Sequence, residues 1–477
     1  MADFIRHDLP EAMRDFDEAE PVNVSRPAQW KDSFKAFSSL RDNLLSVWPD
    51  RAYVGMTFAF QLLKQPYFVC NSPDTVKHVF LQEHDNYDKK SPQMRHALAP
   101  LLGDGLFVSD GELWKERRAY CAPAFEADLL PSFATRMVES AQELADRWAS
   151  LADGKVDMLN EMAKLTSRII GRTIFGDNTT DAEATQVVQG FATYQTAIEQ
   201  LSLADTFGLP YLRWLSNPIP RIRALRSAAK IHQVIDRIIE RHQQRADKTT
   251  VTLLDLLLGS HVSDSKAPKR CPLRPKDARN EAIVMFMAGH ETTANSLAWA
   301  WYLLGHSPRA AQLMRAELDR VLGGRSPTLD DVPNLPYTRA VFEETLRLYP
   351  PVPLLSRQAR GRDEIRGKEV KPNAIILVIP WLLHRHELFW ERPNHFIPER
   401  FLPDQPRPNK FVYIPFSVGH RVCLAMRFGL TEGILCLATL AQRFEAQLEA
   451  GHEIGIECRL TLRPRGGLPM RVQARKG

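Results

Sequence analysis

The chain has 477 residues, 44% hydrophobic and 25% charged, which are values of a folded globular protein and exclude the disordered and collagen-like classes. Its 62 basic and 57 acidic residues leave a net charge of +5, too thin an excess for a nucleic-acid-binding stripe, though compatible with a mildly basic face for an acidic protein partner. Six scattered cysteines, with no CxxC pair and no zinc-finger spacing, exclude a disulfide framework and a structural zinc site.

The opening stretch MADFIRHDLPEAMRDFDEAEP alternates charged and apolar residues, so it is not a signal peptide, and a reducing, cytoplasmic setting is expected. From about Tyr53 to Phe80 the chain reads as strand-rich, with Tyr67-Phe68-Val69 between Pro66 and Pro73. Leu113 to Leu258 is mostly helical, broken near Pro210 and at Pro218 and Pro220, and Ser263 to Pro275 reads as a charged loop. Ala282 to Leu304 is apolar and long enough to cross a bilayer. Its middle, however, carries Gly289-His290-Glu291-Thr292-Thr293-Ala294-Asn295. A carboxylate at mid-membrane costs about 2.5–3.5 kcal/mol, so the expectation is a long helix buried in protein, with a polar waist that marks a site. Asp277 can cap it, and Gly305 with Pro308 can close it. A second strong helix is predicted from Tyr337 to Tyr349, stopped by Pro350-Pro351. Short strands and turns follow over Val352 to Leu377, then an irregular proline-rich stretch from Arg392 to Pro415, then a last helix from Leu424 to about Gln447. The fold class is mainly α, one body over residues 1–477. Residues of about 45–110 and 350–380 contribute a smaller β-rich lobe, and 111–349 and 381–450 are mostly helical.

The segment Pro415-Phe416-Ser417-Val418-Gly419-His420-Arg421-Val422-Cys423-Leu424-Ala425 places a cysteine at the mouth of the last helix. Backbone N–H groups and the positive helix end aimed at sulfur favour the thiolate, the form that binds metal. Gly419 permits a turn with positive φ, and Phe416 can cover the sulfur from water. A cysteine taken alone at such a place is more often a small buried hydrophobe. His290-Glu291 invites a zinc-protease reading, but HExxH needs histidine at position 294, where this chain has Ala294. His384 and His386 are two residues apart and point to different faces, so they are not expected to share a metal.

Phe416-x-x-Gly419-x-Arg421-x-Cys423 resembles the haem-binding signature of the cytochrome P-450 superfamily. The family usually has glycine two residues after the cysteine; Ala425 stands there in this chain and crowds the haem slightly. The resemblance implies the cytochrome P-450 fold, with haem b held between the long central helix and the cysteine loop and Cys423 as the axial ligand of its iron. Ala288-Gly289-His290-Glu291-Thr292-Thr293 resembles the family's oxygen-binding helix. That likeness implies Ala288 and Gly289 beside the haem, Gly289 leaving room for dioxygen, and Glu291 and Thr292 delivering protons. The plainer reading of the same residues is a threonine bonded to the carbonyl four residues back, beside an exposed glutamate. Glu344 and Arg347, with Arg400 of Pro398-Glu399-Arg400-Phe401, are similar to the family's structural triad. Trp114, Arg118, Arg357 and Arg421 match its haem-propionate contacts, and the matches run from about Tyr53 to Val472.

The activity so implied is monooxygenation: one atom of dioxygen enters a lipophilic substrate by C–H hydroxylation or epoxidation. No nucleotide or flavin fingerprint occurs in the chain, so electrons are expected from a separate ferredoxin or flavodoxin with its NAD(P)H reductase. Lys115, Arg117 and Arg427 are candidate docking charges. A peroxide-driven peroxygenase, a haem-thiolate rearrangement enzyme and a non-catalytic haem sensor are the alternatives. Leu98, Phe107, Met285, Val352, Leu354 and Leu468, with the helix between about Phe191 and Trp214, are the candidate substrate lining. A monomer with no nucleic-acid partner and no transmembrane anchor is expected.

Overall fold

The computed structural model describes residues 20–24, 26, 43–62, 65–87, 90–176, 179–199, 219–244, 252–259, 273–458 and 460–475. The opening stretch, the break near Pro210 and most of the Ser263–Pro275 loop lie outside these residues. Two strands, β1 (Thr57–Leu62) and β2 (Gln65–Cys70), precede the short helix α1 (Pro73–Lys77). Helices α2 (Pro92–Leu102), α3 (Gly111–Cys121) and α4 (Leu130–Ala149) follow, then strand β3 (Lys155–Asp157). Next come α5 (Met158–Phe175), α6 (Asp181–Glu199), α7 (Ile219–Gln243), α8 (Leu253–Leu257), the long α9 (Pro275–His306), α10 (Pro308–Leu322) and α11 (Pro336–Leu348). Strands β4 (Leu355–Gln358), β5 (Asp363–Ile365), β6 (Lys368–Val370) and β7 (Ile375–Val378) lead to α12 (Pro380–Leu383) and, after the cysteine loop, α13 (Met426–Ala441). The chain ends in β8 (Phe444–Leu448), β9 (Gly455–Cys458), β10 (Leu462–Arg465) and β11 (Pro469–Ala474).

Local chemistry explains most helix starts. The Asp157 carboxylate accepts the Leu159 and Asn160 N–H groups at the start of α5, and Thr252 with Asp255 forms a capping box on α8. Prolines occupy the first turn of α9, α10 and α11, where a missing N–H costs nothing. Pro220 likewise lies in the first turn of α7, so it opens a helix instead of breaking one. Helix α9 passes through the body with Ala282–Phe286 and Thr293–Leu304 buried, and packs on α5, α11 and α13. Asp277 is not the cap: Arg274 occupies that place, and Asp277 lies three residues further on in the first turn, bonded to Arg274 and Arg117. Gly305 does not end the helix. It lies where a Cβ would come within 2.7 Å of the Ala446 carbonyl, so a close backbone approach requires it. Among the described residues no helix is long and apolar enough to cross a membrane.

A four-stranded sheet runs in the order β1-β2-β7-β4, with β2 parallel to β7 and the other neighbours antiparallel. With the β5–β6 hairpin it forms the β-rich lobe over its own apolar cluster of Phe68, Val76, Phe80, Ile376 and Val378. The C-terminal strands depart from expectation. The last helix stops at Ala441, and Phe444-Glu445-Ala446-Gln447-Leu448 alternates buried and exposed residues as a strand pairing with β11. Helix and strand periods overlap over five residues, so the apolar pattern alone extends the helix past its end at Ala441. His384 and His386 are structural: the Ile414 N–H donates to His384 Nε2 at 2.9 Å, and His386 Nε2 lies 3.4 Å from the Gly55 carbonyl. Between them Arg385 stacks 3.5 Å over the Trp381 ring.

Candidate active site

The cysteine loop is a tight return held by its own backbone. The Cys423 N–H donates to the Phe416 carbonyl at 2.8 Å, and the Val422 N–H to Gly419 at 3.1 Å. Gly419 has φ +75°, and a Cβ there would fall 2.0 Å from the Phe80 carbonyl, so glycine is required twice over. Helix α13 starts three residues after Cys423, and the Ala425 N–H reaches the sulfur. Cys423 is exposed, yet enough protein surrounds the sulfur that burial pushes its thiol pKa up, against the downward pull of that N–H and of Arg118.

Cations gather around this loop. Arg118, on α3, donates to the Val422 carbonyl at 3.0 Å. Its guanidinium lies 5.7 Å, and that of Arg421 4.4 Å, from the centre of the Trp114 ring. Arg421 also donates to the Ser109 carbonyl at 3.0 Å and pairs with Asp110, a carboxylate shared with Arg95. Arg357, on β4, stacks 4.8 Å over Phe80, the residue that Gly419 abuts. Arg117, by contrast, is buried and bound to Asp277 at 2.8 Å and Glu281 at 3.7 Å, so it is a packing cation and not a docking charge. Lys115 is exposed beside Glu112, and Arg427 is exposed.

On α9, Ala288 is exposed in the middle of an otherwise buried helix, and Thr292, one turn on, is half-buried on the same face. The Thr292 hydroxyl donates to the Ala288 carbonyl at 2.6 Å, the local bond that the plainer reading anticipated. Its oxygen keeps its capacity to accept. A Cβ at Gly289 would lie 2.9 Å from Ile170 Cδ1 on α5, so the packing of α5 on α9 also favours the glycine. Glu291 is half-buried and bonded, its two oxygens accepting from Gln195 and, at 2.6 Å, from Thr461. His290 is buried, and desolvation lowers its pKa to about 4, so it is neutral.

A model of the family described as Cytochrome P450 matches residues 39–468. The chain belongs to the cytochrome P450 family. It is 30% identical over 398 residues to cyclooctatin synthase of Streptomyces melanosporofaciens, covering 82% of this chain and 83% of that one. It is also 30% identical to the chloroplastic carotene epsilon-monooxygenase of Arabidopsis thaliana, over 86% of this chain and 78% of that one. The pig taurochenodeoxycholic 6 alpha-hydroxylase is 29% identical, with 78% and 75% covered. The crystal structure of the cytochrome P450DA heme domain shares the fold, with a TM-score of 0.77 at 24% identity over 88% of this chain and 90% of that one. This P450 is therefore an oxidoreductase of the haem monooxygenase class, using haem b, dioxygen and electrons from a redox partner.

The residues present fit that group. One sulfur stands at the centre of the loop, an exposed alanine interrupts the buried face of α9, and three guanidiniums ring the loop with one carboxylate among them. Such a surplus of positive charge suits a flat ligand bearing two carboxylates. The structural triad also comes together in this P450. Arg347 and Glu344 form a two-pronged pair at 2.6 and 2.7 Å with neither side chain exposed, and Arg400 lies 3.4 Å from Glu344. Arg347 further donates to the carbonyls of His384, Pro393 and His395, fastening the irregular run before the cysteine loop.

Among the apolar lining candidates, Phe107, Val352 and Leu354 are half-buried, while Met285 retains 7% of its surface. Leu98 and Leu468 are at 2% and 0%, packed in the core, and offer no surface to a ligand. The expected lining beyond Glu199 lies outside the described residues. Among the buried acids that escaped the sequence reading, two have a carboxyl pushed up by burial. Glu281 accepts the Leu106 N–H at 3.0 Å, pinning the 105–108 segment to α9, and burial pushes its carboxyl up to about 7. Glu432, on α13, bonds to Thr293 of α9 and is pushed by burial up to about 8. The available signal for Glu432 was a lone glutamate immediately before the apolar run Gly433-Ile434-Leu435-Cys436.

Proposed function

We propose that this P450 inserts one oxygen atom into a lipophilic substrate by C–H hydroxylation or epoxidation, with electrons from a ferredoxin or flavodoxin and its NAD(P)H reductase. The carrying observation is the acid–alcohol pair, Glu291 and Thr292, beside exposed Ala288 on α9. Bound haem with the Cys423 thiolate as axial ligand supplies the oxygen-activating chemistry. Arg118, Arg357, Arg421 and Trp114 would hold its propionates, and the Phe416 backbone keeps Cys423 in register with α13. Thr292, with its proton committed to Ala288, offers lone pairs to a proton donor, and Glu291 is the neighbouring group able to supply one. Half-buried Phe107, Val352 and Leu354 favour an apolar substrate, as do relatives named for carotene and for taurochenodeoxycholic acid. Exposed Lys115 and Arg427 are candidate contacts for an acidic electron donor.

The deciding experiment is the carbon-monoxide difference spectrum of the reduced, haem-loaded protein beside its Cys423→Ser variant. A strongly red-shifted band in the wild type that is absent from the variant is expected; an unshifted wild-type band would remove Cys423 as the ligand. In reactions with a surrogate ferredoxin, Thr292→Ala should raise the peroxide released per NAD(P)H severalfold, because the hydroxyl that takes part in proton delivery is lost. Product formation from peroxide alone, without any electron donor, would turn the assignment to a peroxygenase.

A further inference from the structure

Between α2 and α3 the chain passes over α9 and is tied to it. Both oxygens of Glu281 accept the Leu106 N–H, at 3.1 and 3.0 Å. A Cβ added at Gly103 would fall 2.3 Å from Asn280 Nδ2, and one at Gly105 2.8 Å from Val284 Cγ2, so this backbone lies directly on the helix. The Glu281 carboxylate is itself steadied from α3, where the Cys121 thiol donates to Oε2 at 3.7 Å and Arg117 Nε stands 3.7 Å from Oε1. None of Glu281 is exposed, so bulk solvent does not compete for the Leu106 N–H.

A second anchor holds the other end of the same segment. The Ser109 carbonyl accepts from Arg421 at 3.0 Å, and Asp110 pairs with Arg421 and with Arg95. Phe107 therefore sits between two fixed points, one on α9 and one on an arginine of the cysteine loop. Its side chain is half-buried, with the Lys90 ammonium 5.0 Å from the centre of the ring. The Val108 and Ser109 N–H groups both donate to the Gly105 carbonyl at 3.0 Å, so a shift at Leu106 carries Phe107 with it.

We infer that Glu281 is a positioning residue: by holding the Leu106 N–H it fixes Phe107 in the wall of the substrate pocket and so limits the size of molecule admitted. The inference rests on the reading of Phe107 as part of that wall. Glu281 has no exposed surface to offer a ligand, so it acts only through the loop. A carboxylate suits the task, because a hydrogen bond to a charged acceptor is about twice as strong as a neutral one. The bond is made to the backbone, so it places Phe107 without depending on the Leu106 side chain.

The test uses the haem-loaded enzyme with Glu281→Leu, Glu281→Gln, Phe107→Ala and the double variant Glu281→Leu with Phe107→Ala. Hydrogen exchange over residues 103–108 should quicken by about tenfold in Glu281→Leu, the value of one hydrogen bond to a charged group. It should quicken less in Glu281→Gln, whose amide oxygen still accepts. Imidazole and 4-phenylimidazole, which coordinate haem iron, serve as a small and a bulky probe, each followed by the shift of the Soret band. In Glu281→Leu the association rate of 4-phenylimidazole should rise by about tenfold, in step with the exchange, while that of imidazole stays unchanged. Phe107→Ala should raise the same rate, and in its background Glu281→Leu should add nothing. Unchanged exchange at 103–108 in Glu281→Leu overturns the latch. Faster exchange with unchanged 4-phenylimidazole binding overturns its hold on the pocket, as does a Glu281→Leu effect that survives undiminished beside Phe107→Ala. If Phe107→Ala itself leaves both probes unaffected, Phe107 is no part of the wall; the inference then falls with that reading, while the exchange data still judge the latch. Should Glu281→Leu fail to take up haem, Glu281→Gln decides on the same two readouts, and no change in either overturns the inference.

Discussion

A single absent methyl at Gly289 sets how closely α5 and α9 approach. Adding it would bring a carbon within 2.9 Å of Ile170 Cδ1, and overpacking of this kind costs about 1–3 kcal/mol. Alanine returns about 1 kcal/mol of helix propensity, so Gly289→Ala should lower stability by about 1 kcal/mol in net. Ile170→Val removes the offending carbon, and the double variant should regain much of the loss; thermal melts of the four proteins check this coupling. An unchanged melt for Gly289→Ala alone would show that α5 yields freely. The contrast with Gly419 is instructive. There a positive φ and a backbone carbonyl at 2.0 Å forbid any side chain, and no neighbouring substitution can relieve a backbone atom. Both glycines stand out in the sequence, and at Gly419 the expected tight turn is found.

Between elements, the join that matters most is Arg347. Its five donors reach Glu344 and three backbone carbonyls in the run that leads from α12 towards the cysteine loop. Removing one partner of a fully buried pair costs about 3–5 kcal/mol, because the other charge is left unpaired. Arg347→Ala is therefore expected to yield protein with little bound haem, read as the ratio of haem to protein absorbance after purification. Arg347→Lys should fare nearly as badly, since a point charge cannot reproduce the planar fork. Full haem content in the lysine variant would show that charge alone suffices. The pair was visible in the sequence as an i,i+3 motif, but its partners across 37 to 48 residues were not, because backbone carbonyls carry no sequence label.

For the molecule as a whole, buried acids and buried histidines set opposing pH limits. Burial raises Glu432 to about 8 and Glu281 to about 7 from an ordinary 4.5, so the fold holds protons that the unfolded chain has released. Stability from that source is complete below pH 4.5 and is lost as pH rises through 7 and 8, by up to about 1.4 kcal/mol per pH unit for each group. His290, His384 and His386, lowered to about 4, 3 and 4, act in the other sense: their contribution is present above pH 6.5 and is lost as pH falls. The melting temperature should accordingly decline from pH 6.5 to 8.5, and Glu432→Gln should flatten that decline while changing little near pH 5. A slope that survives in Glu432→Gln would place its origin elsewhere. The sequence by itself determined the helical class, the central helix, the family and the ring of arginines around Cys423. Periodicity, proline and glycine placement and short motifs act over a few residues and are legible as text. Only the tertiary structure decided that Gly289 packs against α5, that Arg117 is buried, that β8 to β11 follow the last helix, and that Glu291 is bonded by Gln195 and Thr461 from 96 and 170 residues away. Those outcomes depend on which side chains meet across the fold, and the desolvation that shapes their chemistry exists only once the core has closed around them.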